Sequence, residues 1–112
     1  MRRNKTVLDE EVAVYFDYQS LDRVLHSRVR TALMSVLLSL KEADFNTLKN
    51  LSDLTDGNLI THLRILERAG YVDHRREGRG RNASSTYWMT ERGRRAFQRH
   101  VEALEQMVRF GG

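Results

Sequence analysis

The chain has 112 residues, 40% of them hydrophobic, and a formal net charge of +4. This length and apolar content suit one domain with one modest core. The absence of cysteine excludes disulfides, thiolate metal sites and cysteine nucleophiles. The apolar runs fall well short of the roughly 20 residues of a membrane span. We therefore expect a soluble, cytoplasmic protein with no membrane partner.

The charges are segregated along the chain. Five acids and no lysine or arginine lie between residues 8 and 22, whereas eight arginines and only three acids lie between residues 71 and 99. A positive field confined to one segment favours an anionic partner. Residues 1–19 are predicted to form an N-terminal arm or a short helix. Two roles stay open for the acidic segment: packing on a partner subunit or on the C-terminal helix, or shielding the basic face.

The first half of the chain carries helical patterns. Ser20 is a candidate cap for a short helix over residues 21–25. The sequence SRVRTALMSVLLSL then places Val29, Leu33, Val36, Leu37 and Leu40 on one helical face. After a short extended piece at residues 43–45, Asn46 is the predicted N-cap of a helix whose Leu48 and Leu51 face inward.

The stretch TDGNLITHLRILERAGYV, residues 55–72, predicts a second helix after a very short turn. Thr55 is the expected N-cap and Gly70 the expected left-handed terminator. Leu59, Leu63 and Leu66 recur at intervals of four and three, which is typical of a helix that packs one face on a core. Only three or four residues separate this helix from the preceding one, the spacing of a helix-turn-helix.

A hairpin and a final helix complete the predicted order. YVDHRRE begins the first strand, TYWM forms the second, and the basic loop GRGRNASS connects them. Thr90 is the predicted cap of a last helix that runs to about Arg109. Strand alternation predicts that Tyr87 and Met89 share one face and that Trp88 lies on the other.

Three stretches together resemble winged-helix transcription regulators of the broad MarR and ArsR superfamily: HSRVRTALMSVL, DFNTLKNLSDLTDGNLITHLRILERAGYV and GRGRNASSTYWMTERGRRAF. They cover about residues 20–108, and the ending Tyr87, Met89, Thr90 and Gly93 supports the resemblance. It implies a mainly α fold with a small β-hairpin (α+β). The implied units are a winged helix-turn-helix over residues 20–89 and a C-terminal dimerisation helix over residues 90–112.

The resemblance also implies binding of double-stranded DNA, with one helix in the major groove and the hairpin tip in the minor groove. Asn suits an adenine edge, Arg a guanine edge or a phosphate, and Thr a phosphate or a thymine methyl. Similar proteins often have Ser where this chain has Ile60, which would instead offer an apolar contact to a thymine methyl. The predicted DNA-contacting residues are Thr55, Gly57, Asn58, Ile60, Thr61, His62, Arg64, Arg75, Arg76, Arg79, Arg81 and Asn82.

The last helix carries a wide apolar stripe. A helix that packs only on a small domain needs a narrower one, so we expect a homodimer formed through the same helix of a second chain. The alternative is a helix that only caps the core of a monomer. A dimer would present two helices to a palindromic site. The predicted interface residues are Phe97, His100, Val101, Leu104, Met107 and Val108.

Other functions have weaker support in the sequence. The four histidines lack the spacing of a metal site, no cofactor is indicated, and no catalytic motif is present, so we do not expect an enzyme. A transcriptional repressor is the expected function, and a small-molecule effector stays open. The alternative is a winged helix that binds another protein or an RNA. That alternative predicts weak salt dependence of duplex DNA binding, and little contribution from Arg79 and Arg81.

Overall fold

The computed structural model describes the backbone of residues 18–111 and the side chains of residues 18–109. Within this range lie four α-helices, three β-strands and two short 3-10 turns. Of the predicted arm over residues 1–19, residues 1–17 lie outside the described residues, and residues 18 and 19 belong to the first 3-10 turn. The elements are α1 (Arg28–Leu40), β1 (Glu42–Asp44), α2 (Phe45–Ser52), α3 (Asp56–Arg68), β2 (Val72–Glu77), β3 (Ser84–Met89) and α4 (Glu91–Gly111), with 3-10 turns at Tyr18–Ser20 and Gly80–Asn82.

The three strands form one antiparallel sheet in the order β1-β3-β2. Ala43 of β1 and His74 of β2 both pair with Tyr87 of β3. Tyr87 is buried against the helices, while Trp88 is partly exposed on the opposite face. The predicted α+β fold class and the predicted alternation in β3 are confirmed.

One hydrophobic core joins all four helices to the sheet. Its leucines from α1, α2 and α3 are almost fully buried, and α4 adds Ala96 and Phe97. The core therefore includes residues on both sides of the predicted domain boundary at residues 89 and 90. The buried core residues are Leu25, Leu33, Met34, Leu37, Ala43, Leu48, Leu59, Leu63, Leu66, Val72, Tyr87, Ala96 and Phe97.

The start of α2 differs from the prediction. Asp44, not Asn46, is the N-cap, and its carboxylate accepts the Thr47 N–H at 2.8 Å. Strand β1 ends at Asp44, so the helix begins immediately after it and Asn46 falls within the first turn. Leu48 is buried as predicted, but Leu51 in the last turn is 61% exposed, so the prediction that it faces inward is wrong.

Residues 21–25 form a turn where a short helix was predicted. The Asp22 carboxylate accepts the N–H groups of Val24 at 2.8 Å and Leu25 at 3.0 Å. An aspartate that satisfies the backbone two and three residues ahead offers an alternative to helical hydrogen bonds. Leu25 is nevertheless fully buried, so the turn still contributes to the core. Among the described helices, none is long and apolar enough to cross a membrane.

Candidate nucleic-acid interface

Helix α3 has two clearly different faces. Leu59, Leu63 and Leu66 are fully buried in the core. Asn58 and Arg64 are exposed on the other side of the same helix. Thr61 is exposed beside them, and its hydroxyl donates to the Gly57 carbonyl at 2.9 Å. We call the exposed residues Gly57, Asn58, Thr61 and Arg64 the recognition face.

The N-terminus of α3 is capped, and the acidic residue in its first turn is paired with a lysine. Thr55 accepts the Asn58 N–H through its hydroxyl at 3.1 Å, which confirms the predicted cap. Asp56 in the first turn suits the positive end of the helix dipole. Its carboxylate also accepts from Lys49 Nζ of α2 at 2.6 Å. Gly57 has no heavy atom within 4 Å of where a Cβ would lie, so this turn is open to an approaching ligand.

His62 and Ile60 are half-buried beside the recognition face. Arg30 Nη1 of α1 lies 3.0 Å from His62 Nδ1, and Arg30 Nε donates to the Val24 carbonyl at 2.6 Å. Burial lowers the pKa of His62, and the charge of Arg30 lowers it further. A neutral His62 accepts a hydrogen bond from the Arg30 guanidinium, and this bond joins α3 to α1. His62 therefore helps to orient α3, and it also lies beside the recognition face.

The hairpin tip, residues 78–83, carries two exposed arginines. Arg79, Arg81 and Asn82 are exposed, and neither arginine forms an ion pair with the part of the chain that the structure describes. Gly78 adopts φ +87°, and a Cβ there would lie 2.6 Å from the Asn82 carbonyl oxygen. Glycine is therefore required to form the turn that projects the two arginines.

Arg75 and Arg76, both predicted to contact DNA, lie on opposite faces of the hairpin. Arg75 Nη2 donates to Glu42 at 3.1 Å, and its guanidinium lies 5.5 Å from the centre of the Trp88 ring. The hydrogen bond and the charge of Glu42, together with the charge of Glu77, raise the pKa of Arg75. Arg76 instead points to the side of α3, where it forms no ion pair within residues 18–109.

A cleft between α2, α3 and β3 adds polar groups that the sequence did not single out. Asn46 and Ser85 line it beside Ile60 and Arg76. The sequence pattern indicated Asn46 only as a helix cap and did not predict that it lies at the edge of the recognition face. Only the pairing of β3 with β2 reveals that Ser85 lies beside Arg76.

The base of the hairpin is tied to both neighbouring helices. The Thr90 hydroxyl donates to the Gly70 carbonyl at 2.6 Å and accepts the Gly93 N–H at 2.9 Å. The second bond confirms Thr90 as the cap of α4. Gly70 adopts φ +81°, as predicted for the residue that ends α3. These contacts fix the sheet against α3 and α4.

Two of the predicted dimer residues are buried within the chain itself. Phe97 is 8% exposed in the core, and His100 is 1% exposed. His100 Nδ1 accepts the Asp22 N–H at 3.1 Å, and its ring packs edge-on against His26. The interface prediction needs correction for these two residues, because the first half of α4 completes the core. The remaining predicted residues, Val101, Leu104, Met107 and Val108, follow on the second half of α4 with partial or full exposure.

Tyr71 joins this end of the molecule to the same aspartate. Its hydroxyl donates to Asp22 at 2.5 Å. Burial, followed by the hydrogen bond to Asp22, raises the pKa of Tyr71 to about 12. Asp22 thus receives hydrogen bonds from Tyr71 and from the backbone of its own turn, while its N–H reaches His100. The cluster holds the start of the described chain against α4.

Comparison with known proteins supports this geometry. Residues 29–108 match the family described as "Winged helix DNA-binding domain". An uncharacterized protein of Methanocaldococcus jannaschii is 32% identical over 85 residues, which cover 76% of this chain and 92% of that protein. Residues 29–108, which match the family, contain α3, the hairpin and most of α4.

Solved structures show the same architecture. A transcriptional regulator homologue from Pyrococcus horikoshii OT3 has a TM-score of 0.75 and 26% identity, covering 85% of this chain and 94% of the other. A MarR family transcriptional regulator from Streptomyces coelicolor, solved in complex with DNA, has a TM-score of 0.61 and 21% identity. That match covers 96% of this chain and 77% of the regulator, and it supports the fold. The resemblance to winged-helix regulators that the sequence indicated is confirmed.

Proposed function

The chain belongs to the winged helix DNA-binding domain family, and from this premise we propose that it is a transcriptional repressor that binds a palindromic DNA site as a homodimer. The recognition face of α3 enters the major groove, and the hairpin tip enters the adjacent minor groove. If the site overlaps a promoter, a bound dimer excludes polymerase from that DNA, so that occupancy alone would repress.

The observation that carries the proposal is the division of α3 into two faces. The three leucines are fully buried, which fixes the helix rigidly on the core. Asn58 and Arg64 are then held in solvent with donors that match base edges in the major groove. The positive end of the helix, open at Gly57, suits a DNA phosphate. Thr55, Ile60 and His62 contribute mainly by shaping and anchoring this helix.

The hairpin tip supports the same orientation. Arg79 and Arg81 project beyond the sheet, and the enhanced negative potential of a narrow minor groove attracts arginine. Arg76 lies between the tip and α3, and Asn82 is exposed in the tip itself; both would contact phosphates. Because Arg75 is already paired with two carboxylates on the outer face, we assign it a structural role instead of direct DNA contact.

The second half of α4 supports dimerisation. The helix has 21 residues, and its contribution to the core ends near Ala103. Val101 still packs partly on the core, Leu104 and Met107 continue the apolar stripe beyond Ala103, and Val108 is 72% exposed. Pairing this stripe with the same helix of a second chain would bury it. Two recognition faces would then contact half-sites about 34 Å apart, one turn of DNA.

The proposal is tested by fluorescence anisotropy of labelled random-sequence duplex DNA across a salt series. Each phosphate contact contributes close to one unit to the slope of log affinity against log salt. The double variant Arg79→Ala/Arg81→Ala should reduce that slope by about two units per chain. The matched control is Arg94→Ala/Arg95→Ala, which removes the same charge from exposed arginines on α4 that pair with Glu91.

Three results would contradict the proposal. Equal losses in the tip variant and the α4 control would mean that only net charge matters. Absent or salt-independent binding by the unaltered protein would favour a winged helix that contacts another protein, and stronger binding to A-form RNA would favour the RNA alternative. Sedimentation of the DNA-free protein, with Val108→Glu as the disrupting variant, tests the dimer separately.

A further inference from the structure

Three side chains with metal-binding groups meet at the corner where α3 leads into β2. Glu67 lies in the last turn of α3, and Asp73 and His74 lie near the start of β2. One ligand atom from each lies within 4.8 Å of the other two. A search along single helices for paired histidines overlooks this site, because its ligands are brought together across the turn at Gly70.

The imidazole of His74 is held in position from two sides. Its ring stacks on Tyr87, with centroids 5.0 Å apart and an interplanar angle of 29°. Its Nδ1 atom faces the Glu67 carboxylate in a short hydrogen bond. The Asp73 carboxylate folds back along the strand, where it accepts the backbone N–H of His74 at 2.8 Å. The three groups are therefore gathered before any ion arrives.

We propose that Glu67, Asp73 and His74 form a binding site for a divalent transition-metal ion, with Zn²⁺ the favoured ion and water completing its coordination. Bonds of about 2.0–2.2 Å to nitrogen and oxygen place tetrahedral ligand atoms roughly 3.3 Å apart. Small side-chain rotations bring the three groups to that spacing. The side chains of Glu67 and His74 are 24% and 37% exposed, so an ion can enter from solvent.

The ligand set selects the class of metal. An imidazole favours zinc, cobalt or nickel over calcium and magnesium, which prefer oxygen ligands alone. The chain has no cysteine, so it cannot offer the thiolates that favour Cu(I). Three protein ligands with a remaining position for water are a common arrangement around zinc. An ion here would join the last turn of α3 to the strand that leads to the hairpin tip.

The test is isothermal titration calorimetry of the tag-free full chain with Zn²⁺, combined with visible absorption of the Co²⁺ form. We expect one ion per chain and the intense visible bands of four- or five-coordinate cobalt. Glu67→Gln, Asp73→Asn and His74→Phe should each weaken binding roughly tenfold or more, since even the loss of groups outside the coordination sphere costs 10–100-fold. Phenylalanine at position 74 keeps the stacking on Tyr87 but has no ligand atom, so a loss of Zn²⁺ affinity would reflect lost coordination and not lost packing.

His26→Gln is the control, because it removes an exposed histidine at another place on the molecule. It should leave the affinity for Zn²⁺ unchanged. The proposal is overturned if the unaltered protein binds Zn²⁺ no more tightly than His74→Phe, or if Co²⁺ keeps the pale spectrum of its aqueous ion. Glu67 and His74 would then form only a hydrogen bond. Circular dichroism verifies folding, and Glu67→Gln and Asp73→Asn carry the test if His74→Phe is unfolded.

Discussion

The two ends of the β2–β3 hairpin differ sharply in how their polar groups are used. At the base, the Thr90 hydroxyl joins Gly70 to Gly93, and the Thr90 N–H donates to the Tyr71 carbonyl at 3.0 Å. At the tip, residues 78–83 are mostly exposed. The base of the hairpin thus attaches it to the core, and its tip presents positive charge to solvent. Substitutions at the base should change stability, and substitutions at the tip should change DNA binding.

The largest effect is expected at Gly93, where the base meets α4. A Cβ at this position would lie 2.1 Å from the Tyr71 carbonyl oxygen, a backbone atom that cannot move aside easily. Gly93→Ala should lower the free energy of unfolding by about 3 kcal/mol, at the upper end of the usual cost of overpacking. Urea denaturation followed by the fluorescence of Trp88 measures it.

Gly57→Ala is the matched control for that substitution. Gly57 is also in a helix, but nothing lies within 4 Å of its added Cβ. Alanine should therefore leave the free energy of unfolding unchanged or raise it by less than about 0.5–1 kcal/mol, the difference in helix interiors. If both substitutions changed stability equally, close packing of Gly93 on Tyr71 would not be what fixes the base of the hairpin.

A smaller effect on the free energy of unfolding is expected when the pH is lowered and His100, near the base of the hairpin, is protonated. Burial lowers the pKa of His100, a nearby carboxylate of Asp22 opposes the shift, and His26 adds to it. The unfolded chain therefore binds a proton at a higher pH than the folded chain does. Stability from this group is complete above about pH 6.5 and falls as the pH drops towards the lower pKa of the folded state, by at most about 1.4 kcal/mol per pH unit.

Urea denaturation between pH 5 and 8 measures that slope. His100→Asn should flatten it, because the amide oxygen replaces Nδ1 as the acceptor for the Asp22 N–H without titrating. His62→Gln is the control, since the pKa of His62 is lowered at a different contact and its loss leaves the contribution of His100 in place. An unchanged slope in His100→Asn would show that His100 is not the group that titrates.

The smallest effect is expected at Arg75. This residue carries the same charge as Arg79, but its guanidinium is paired with Glu42 and Glu77 on the outer face. Arg79→Ala should lower the salt slope of DNA binding by about one unit, and Arg75→Ala should leave it nearly unchanged. Anisotropy with the two single variants measures the difference. Equal reductions in the salt slope would mean that Arg75 on strand β2 contacts DNA as well as Arg79 at the tip.

The sequence predicted the elements with strong local signals. Periodic leucines located α1 and α3, and Thr55, Gly70 and Thr90 marked helix ends because capping and left-handed φ values depend on individual residue types. Asp44 and Asn46 are both good caps, so only the end of β1 decides between them. Local pattern alone could not distinguish a buried leucine from the exposed Leu51.

The candidate site was predictable where it follows one helix and not where it depends on pairing. The 3.6-residue period was enough to assign Asn58 and Arg64 to the exposed face of α3. The opposite faces of Arg75 and Arg76 follow from strand alternation alone. The neighbouring positions of Arg76 and Ser85, and the meeting of Glu67 with His74, depend on strand register and on the angle of a turn. Likewise, the width of the apolar stripe on α4 did not reveal that Phe97 and His100 complete the core.

The most direct test of the central claim is sequence discrimination by the recognition face. A DNA site would first be selected from a random duplex library with the unaltered protein. Affinities for that site and for random DNA would then be measured with Asn58→Ala and Arg64→Ala. Each variant should lose about 5- to 100-fold of its preference for the selected site, while binding to random DNA changes less. Undiminished preference in both variants would contradict the assignment of α3 to the major groove.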